Sequence, residues 1–190
     1  MLKTLPPLNN LVVIAPHPDD EAIGCASFFK NRQVTKLIVI TDGSIQTIRR
    51  TMDNKKYISK RKEETLKFVT SFGINKKDVF FLDYRDGQLD KIDIKKLLSK
   101  INPLIKPEET ILIPSVLDSH RDHRQVAKIA KFIKNKMIFY TITGNYGDSE
   151  SVLRVKCNNK LLVKKYYVSQ YWRLLKSNFS FRTYEEYQIS

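Results

Sequence analysis

LVVIAPHPDDEAIGCASFFKNRQVTKLIVIT, residues 11–41, reads as a strand, a helix and a second strand. LVVIA (11–15) and KLIVIT (36–41) are continuous apolar runs of the kind buried on both faces of a parallel sheet, and EAIGCASFFKN (21–31) is the helix between them. The unit then repeats. YISKRKEETLKFVTSFG (57–73) sets Ile58, Leu66, Val69 and Phe72 at helical spacing, with Gly73 as its C-cap. VFFL (79–82) is a third strand, IDIKKLLSKI (92–101) a helix and TILIP (110–114) a fourth strand. RDHRQVAKIAKFIKN (121–135) is a further helix and MIFYTIT (137–143) a fifth strand. Alternation at this spacing predicts an α/β protein: a three-layer α/β/α sandwich around a Rossmann-like, mostly parallel sheet, in a single domain over residues 1–190. The last forty residues are ambiguous. SVLRVKC and KLLVKKYYV fit two strands or a strand and a helix, and KYYVSQYWRLLK fits a helix.

Composition narrows the class. Hydrophobic residues at 42% and charged residues at 28% are a globular balance, which argues against disorder. No apolar run approaches the ~20 residues of a membrane span, and the N-terminus lacks a secretory apolar region, so a cytoplasmic protein is expected. The 34 Lys+Arg exceed the 20 Asp+Glu by 14, a charge that suits nucleic acid, anionic lipid headgroups or a phosphate-bearing substrate, or a lysine-rich surface with no specific partner. The cations are spread rather than blocked and no zinc-finger or RNP signature accompanies them, so no nucleic-acid partner is expected. Cys25 and Cys157 stand far apart without a C-x-x-C pair, which argues against a disulfide framework or cysteine zinc cluster; Cys25 reads as a packed thiol.

In an open α/β sheet, ligands bind beyond the carboxyl ends of the strands. PHPDDE follows the first strand, TDGS the second and DSHRDHR the fourth, and all three histidines of the chain, His17, His120 and His123, lie in the first and last of these. A shared metal site accounts for that clustering. Hydrolytic zinc takes three nitrogen or oxygen ligands and keeps a position for water. His17, one of Asp19 and Asp20, and one of His120 and His123 supply such a set, leaving the other aspartate free to act as general base. Pro16 and Pro18 stiffen the backbone around His17. The plainer alternatives are that Asp19 or Asp20 caps the helix of residues 21–31, and that His120 and His123 are exposed helix-start residues. Glu21 reads as a helix-start residue favoured by the dipole. The chain contains no G-x-S-x-G elbow, P-loop or dinucleotide fingerprint.

The strand followed by HPDDE resembles the PIG-L/LmbE family of zinc-dependent N-acetylglucosaminyl de-N-acetylases, which act on GlcNAc-containing lipids and glycosides. The resemblance continues through TDG (41–43), RKEE (61–64), FLDYRDGQL (81–89), SHRDHR (119–124) and KKYYVSQY (164–171). It implies one Zn2+ per chain, with another divalent metal as the alternative, ligated by His17, Asp20 and His123. It further implies Asp19 as general base, His120 as oxyanion donor or acid for the leaving amine, and Asp122 orienting a neighbouring histidine. Arg61 and Asp86 match positions lining the substrate pocket; as a residue of the same helix three before Glu64, Arg61 alternatively forms a surface ion pair. The implied activity removes the N-acetyl group from an acetamido sugar in a small-molecule or lipid-linked glycoconjugate, an anionic one included. The rivals are a zinc hydrolase of another amide or ester, and a non-catalytic basic module binding nucleic acid or anionic lipid. Two departures stand out: Arg121 replaces the family's proline in H-P-D-H, and the chain is short. Candidate rim segments are residues 43–56, with Arg49 and Arg50, and residues 143–151.

Overall fold

The computed structural model describes residues 8–44, 54–144, 146–147 and 151–189; Arg49, Arg50 and much of both candidate rim segments lie outside them. The strands are β1 (Leu11–Ala15), β2 (Val34–Thr41), β3 (Val79–Tyr84), β4 (Thr110–Pro114), β5 (Met137–Thr141), β6 (Val152–Lys156) and β7 (Tyr184–Ile189). They form one sheet in the order β3-β2-β1-β4-β5-β7-β6. The first five run parallel, while β7 pairs antiparallel with both β5 and β6. The three-layer, mostly parallel architecture is therefore as expected.

β1 is apolar throughout because both of its faces are covered. Leu11 and Val13 pack with Phe28, Phe29, Phe68 and Tyr167 on one side of the sheet. Val12 and Ile14 pack with Leu97, Ile101 and Val126 on the other. The first layer carries α1 (Asp20–Gly24), α2 (Ala26–Lys30), α3 (Asn54–Ser71), α6 (Asn159–Tyr166) and α7 (Val168–Lys176). The second carries α4 (Ile94–Ile101) and α5 (Arg121–Ala127).

Three expectations are corrected. The helix expected over 21–31 breaks at Cys25, where ψ is 6° and φ is −134°. Gly24, the last residue of α1, lies so close to the Tyr140 ring that a Cβ would come within 2.7 Å of it. The helix expected over 121–135 is α-helical only to Ala127 and tightens to a 3-10 helix at Lys128–Phe132. In α3 the buried stripe is Tyr57, Arg61, Glu64, Thr65, Phe68 and Val69, with Ile58, Leu66 and Phe72 only half-buried. The stripe is rotated because Arg61 and Glu64 find partners inside the protein.

The C-terminal ambiguity resolves to a strand, two helices meeting at Tyr167, and a final strand, β7, that carries no apolar run. Glu185 and Glu186 are buried in it with partners: Glu186 with Arg154 and Arg182, Glu185 with the Ser27 N–H and the Tyr187 hydroxyl. The chain leaves β1 toward β2 on one side and later inserts β4 on the other. The crevice between the loops after β1 and β4 is thus the sheet's switch point.

Candidate metal centre and cleft

The turn after β1 is anchored where the Thr41 N–H donates to the Pro16 carbonyl (2.9 Å). Asp19 then adopts φ 120°, in the region that favours glycine. It occupies the N-cap position of α1, yet its side chain caps nothing; its carbonyl accepts from the N–H groups of Ala22 and Ile23. Glu21 fixes this backbone by accepting the Asp19 N–H (3.0 Å), and it also takes the buried Tyr167 hydroxyl. Glu21 thus stands in the first turn of α1, as expected, and is in addition a fully buried acceptor. Strain held in this way leaves the Asp19 carboxylate free to face the cleft.

Asp20 does not cap the helix either. Its Oδ2 accepts the His17 N–H (2.8 Å) and lies 3.1 Å from His17 Nδ1 and 3.2 Å from His123 Nε2. The two ring nitrogens are themselves 3.2 Å apart. Three donor atoms thus form a nearly equilateral triangle. A tetrahedral ion with N/O ligands at about 2.0–2.1 Å needs donors about 3.3 Å apart, so this set fits one. A second set, His17, His120 and His123, also brings one nitrogen from each ring within 4.8 Å of the others, but it leaves out Asp20.

Each histidine of the triangle has a carboxylate on its other ring nitrogen. His17 Nε2 faces Asp122 Oδ2 at 3.2 Å and Asp86 Oδ1 at 3.3 Å, and His123 Nδ1 faces Asp118 Oδ2 at 3.2 Å. Such partners fix ring orientation in metal sites. Asp122 is held by the N–H groups of Gly87 (2.7 Å) and Leu89 (3.3 Å), which gives the DGQL segment a structural purpose. Asp118 accepts from the Ile142 N–H (2.8 Å), the His120 N–H (3.0 Å) and the Thr143 hydroxyl. Burial alone would raise its pKa; His123, Thr143 and Ile142 outweigh that and hold it well below the usual carboxylate range.

His120 stands apart, exposed at the start of α5. Its Nδ1 accepts the Asp122 N–H (3.2 Å) as a helix cap, and its ring lies 4.7 Å from that of His17, edge-on. Partial burial of the ring and the neighbouring His17 lower its pKa, which favours the neutral imidazole, and with Nδ1 accepting from Asp122 that form carries its proton on Nε2.

Arg61 is 2% exposed. Its Nη1 donates to the Gly43 carbonyl (2.9 Å) and its Nη2 to that of Pro18, while the guanidinium sits 3.1 Å from Asp19 and 3.7 Å from Asp86. Gly43, at φ 67°, admits this approach: a Cβ there would lie 2.5 Å from Nη1. Arg61 is therefore not a surface partner of Glu64, which instead accepts the N–H and hydroxyl of Ser169. Burial raises Asp19 to about 7 against the pull of Arg61.

Even without Asp19, which is raised to about 7, Asp20, Asp86, Asp118 and Asp122 outnumber Arg61 as charges in this site by three when the histidines are neutral. Burial would lower the pKa of His17 and His123, yet Asp20 with Asp122 and Asp86 raises the first well up, and Asp20 with Asp118 raises the second to about 9. The cluster demands positive charge, as ring protons or as a cation between the rings.

These side chains line a cleft of about 240 Å³ that takes in His17, Asp19, Asp20, Arg61, Asp86, His120 and His123. Asp122 stands behind His17. The opposite wall, unassigned from sequence, comes from α7 and beyond: Gln170, Arg173, Leu174, Ser177 and Phe179. The SQ pair in this segment was the available signal, since Ser169 meets Glu64 and Gln170 donates to Tyr57. Asp118 was also unassigned, although it sits within DSHRDHR. Arg121 points away from the cleft, donating to the Gly87 carbonyl and lying 3.7 Å from Asp90.

A family model described as "PIG-L: GlcNAc-PI de-N-acetylase" matches residues 12–133. No curated protein matches the chain in sequence. Among solved structures, the N,N'-diacetylchitobiose deacetylase of Pyrococcus horikoshii, complexed with its inhibitor MPG, superposes with TM-score 0.65 at 18% identity, over 95% of this chain and 83% of that one. The conserved protein TT1542 of Thermus thermophilus gives TM-score 0.60 at 19% identity, over 96% and 94%. At these identities the likeness establishes the fold.

Proposed function

The chain belongs to the PIG-L family, and on that premise we propose that it is a metal-dependent amidohydrolase removing the N-acetyl group from an acetamido sugar in a glycoconjugate. The observation that carries the reading is the triangle of His17 Nδ1, Asp20 Oδ2 and His123 Nε2, with Asp19 and His120 lining the same cleft. Those three atoms would hold one divalent ion, which we assign as zinc. When bound, such an ion supplies Lewis acidity toward an amide carbonyl and makes water more acidic.

The rest of the chemistry belongs to this chain's side chains. Asp19, held by Arg61, takes a proton from the attacking water as its oxygen bonds to the acetyl carbon; a base near neutrality is matched to that task. Negative charge then develops on the former carbonyl oxygen. His120, neutral with its Nε2 proton free, donates to that oxygen, which favours the oxyanion role over that of a general acid. The C–N bond breaks as the proton on Asp19 passes to the nitrogen, releasing acetate and a free amine. Asp86 lines the cleft and is suited to accept a sugar hydroxyl, whereas Arg61 spends both terminal nitrogens on holding Asp19 and the two carbonyls.

The test is release of acetate and amine from a panel of acetamido sugars by metal-loaded protein. Turnover is expected on at least one, and Asp19→Asn is expected to lower it about 10²–10⁴-fold with metal content unchanged. Full activity in Asp19→Asn would remove Asp19 from the mechanism. Turnover confined to esters or non-sugar amides would remove the substrate class.

A further inference from the structure

α6 and α7 together span eighteen residues that carry Lys160, Lys164, Lys165, Arg173 and Lys176 and not one acidic residue. The inward faces are already served: Val163, Tyr167 and Tyr171 are buried in the first core, with Leu174 and Leu175 packed against it. The outward faces carry three apolar residues among their cations. Leu161 is 60% exposed, Val168 48% and Trp172 60%. Val168 and Trp172 stand four apart on α7 and so share a face, and on α6 Leu161 shares one with Lys164 and Lys165. Apolar surface left outside a helix whose inner face already packs adds little to folding. On helices whose charged residues are all cations, they match helices that lie in a membrane interface, aliphatic groups and a tryptophan inward and lysines at the headgroups.

We propose that the outer face of α6 and α7 docks on the surface of an anionic lipid bilayer. Charge complementarity selects the partner: every charged residue of the segment is basic and the chain carries a net +14. Phosphates of a nucleic acid would engage the lysines but leave Leu161 and Val168 without a partner, which favours lipid. α7 also supplies Gln170, Arg173 and Leu174 to the cleft wall; Gln170 and Leu174 stand two residues on from Val168 and Trp172 and so on the other side of the helix, which keeps the docking face separate from the cleft. The inference concerns this surface and stands whether or not the cleft is a deacetylase.

Trp172 is the sole tryptophan of the chain, so intrinsic fluorescence of the full, unlabelled protein reports on this face. The protein is titrated with vesicles of phosphatidylcholine alone, with vesicles containing phosphatidylserine, and with a single-stranded oligonucleotide. The expected result is a blue shift with the anionic vesicles alone, quenching by lipids brominated on the acyl chain, and no change on adding chelator. Lys164→Ala with Lys165→Ala should weaken partitioning about 25-fold, at about fivefold per cation. Trp172→Phe with Val168→Ser, read by co-sedimentation, should weaken it too. No blue shift with anionic vesicles, equal binding to both vesicle types, or shielding of Trp172 by the oligonucleotide alone would overturn the proposal. The wild-type quenching experiment needs no variant to fold. Loss of vesicle binding with deacetylation intact would sink this inference only, and the converse would sink the proposed activity only.

Discussion

Replacing Arg61 by methionine removes a guanidinium that is 2% exposed while keeping an unbranched side chain of similar reach. The substitution deletes donors to the Gly43 and Pro18 carbonyls and leaves Asp19 and Asp86 without the cation 3.1 and 3.7 Å away. Hydrogen bonds from a charged donor contribute about 1.5–3 kcal/mol each, and removing one partner of a buried ion pair costs about 3–5 kcal/mol. The two figures describe overlapping losses and are not summed. Asp19, already raised to about 7, relieves part of the penalty by taking a proton, so the lower part of that range is expected. With a urea m-value of about 2 kcal/mol/M, a loss of about 3 kcal/mol moves the unfolding midpoint down by roughly 1.5 M. Equilibrium urea denaturation followed by far-UV circular dichroism measures this. A loss below about 1 kcal/mol would show that Arg61 behaves as a solvated ion-pair group and would refute the buried clamp.

Four further outcomes follow from the same geometry. Gly43→Ala, at φ 67° with its Cβ 2.5 Å from Arg61, should lose at least about 2 kcal/mol and lower the melting temperature by about 4–8 °C. Gly73→Ala, at φ 91° with nothing within 4 Å, should lose less, since only its backbone is strained. Asp118→Asn, which weakens the support of His123, should reduce metal affinity about 10–100-fold in a competition titration while the fold persists. Burial raises the Cys25 thiol far above its usual range, and burial with Glu185 pushes Cys157 up to about 12, so neither should be alkylated by iodoacetamide at about pH 8 until the protein is denatured.

The sequence spoke most clearly where burial and residue type agree. β1 to β5 were legible because their runs are apolar on both faces. The ligand candidates were legible because the histidines gather at two strand ends. β7 was not, because Glu185 and Glu186 are buried by virtue of partners far away in sequence. The buried face of α3 departs from its apolar spacing for the same reason: Arg61 and Glu64 look like surface residues until Asp19 and Ser169 are placed beside them. Glu21 was legible as a first-turn residue but not as a buried acceptor, and nothing along the chain marks Asp118 as the partner of His123. The α7 wall of the cleft had only the SQ pair to announce it. In each case a polar residue is buried through a contact that spacing along the chain cannot show.

The central claim is that Asp20, not His120, completes the metal-binding triangle with His17 and His123. Metal content per chain, measured by elemental analysis of zinc-loaded and desalted protein, tests it directly in the wild type, Asp20→Ala and His120→Ala. The account predicts one ion per chain in the wild type and in His120→Ala, and little or none in Asp20→Ala. Retention by Asp20→Ala together with loss from His120→Ala would contradict it and transfer the site to the three histidines.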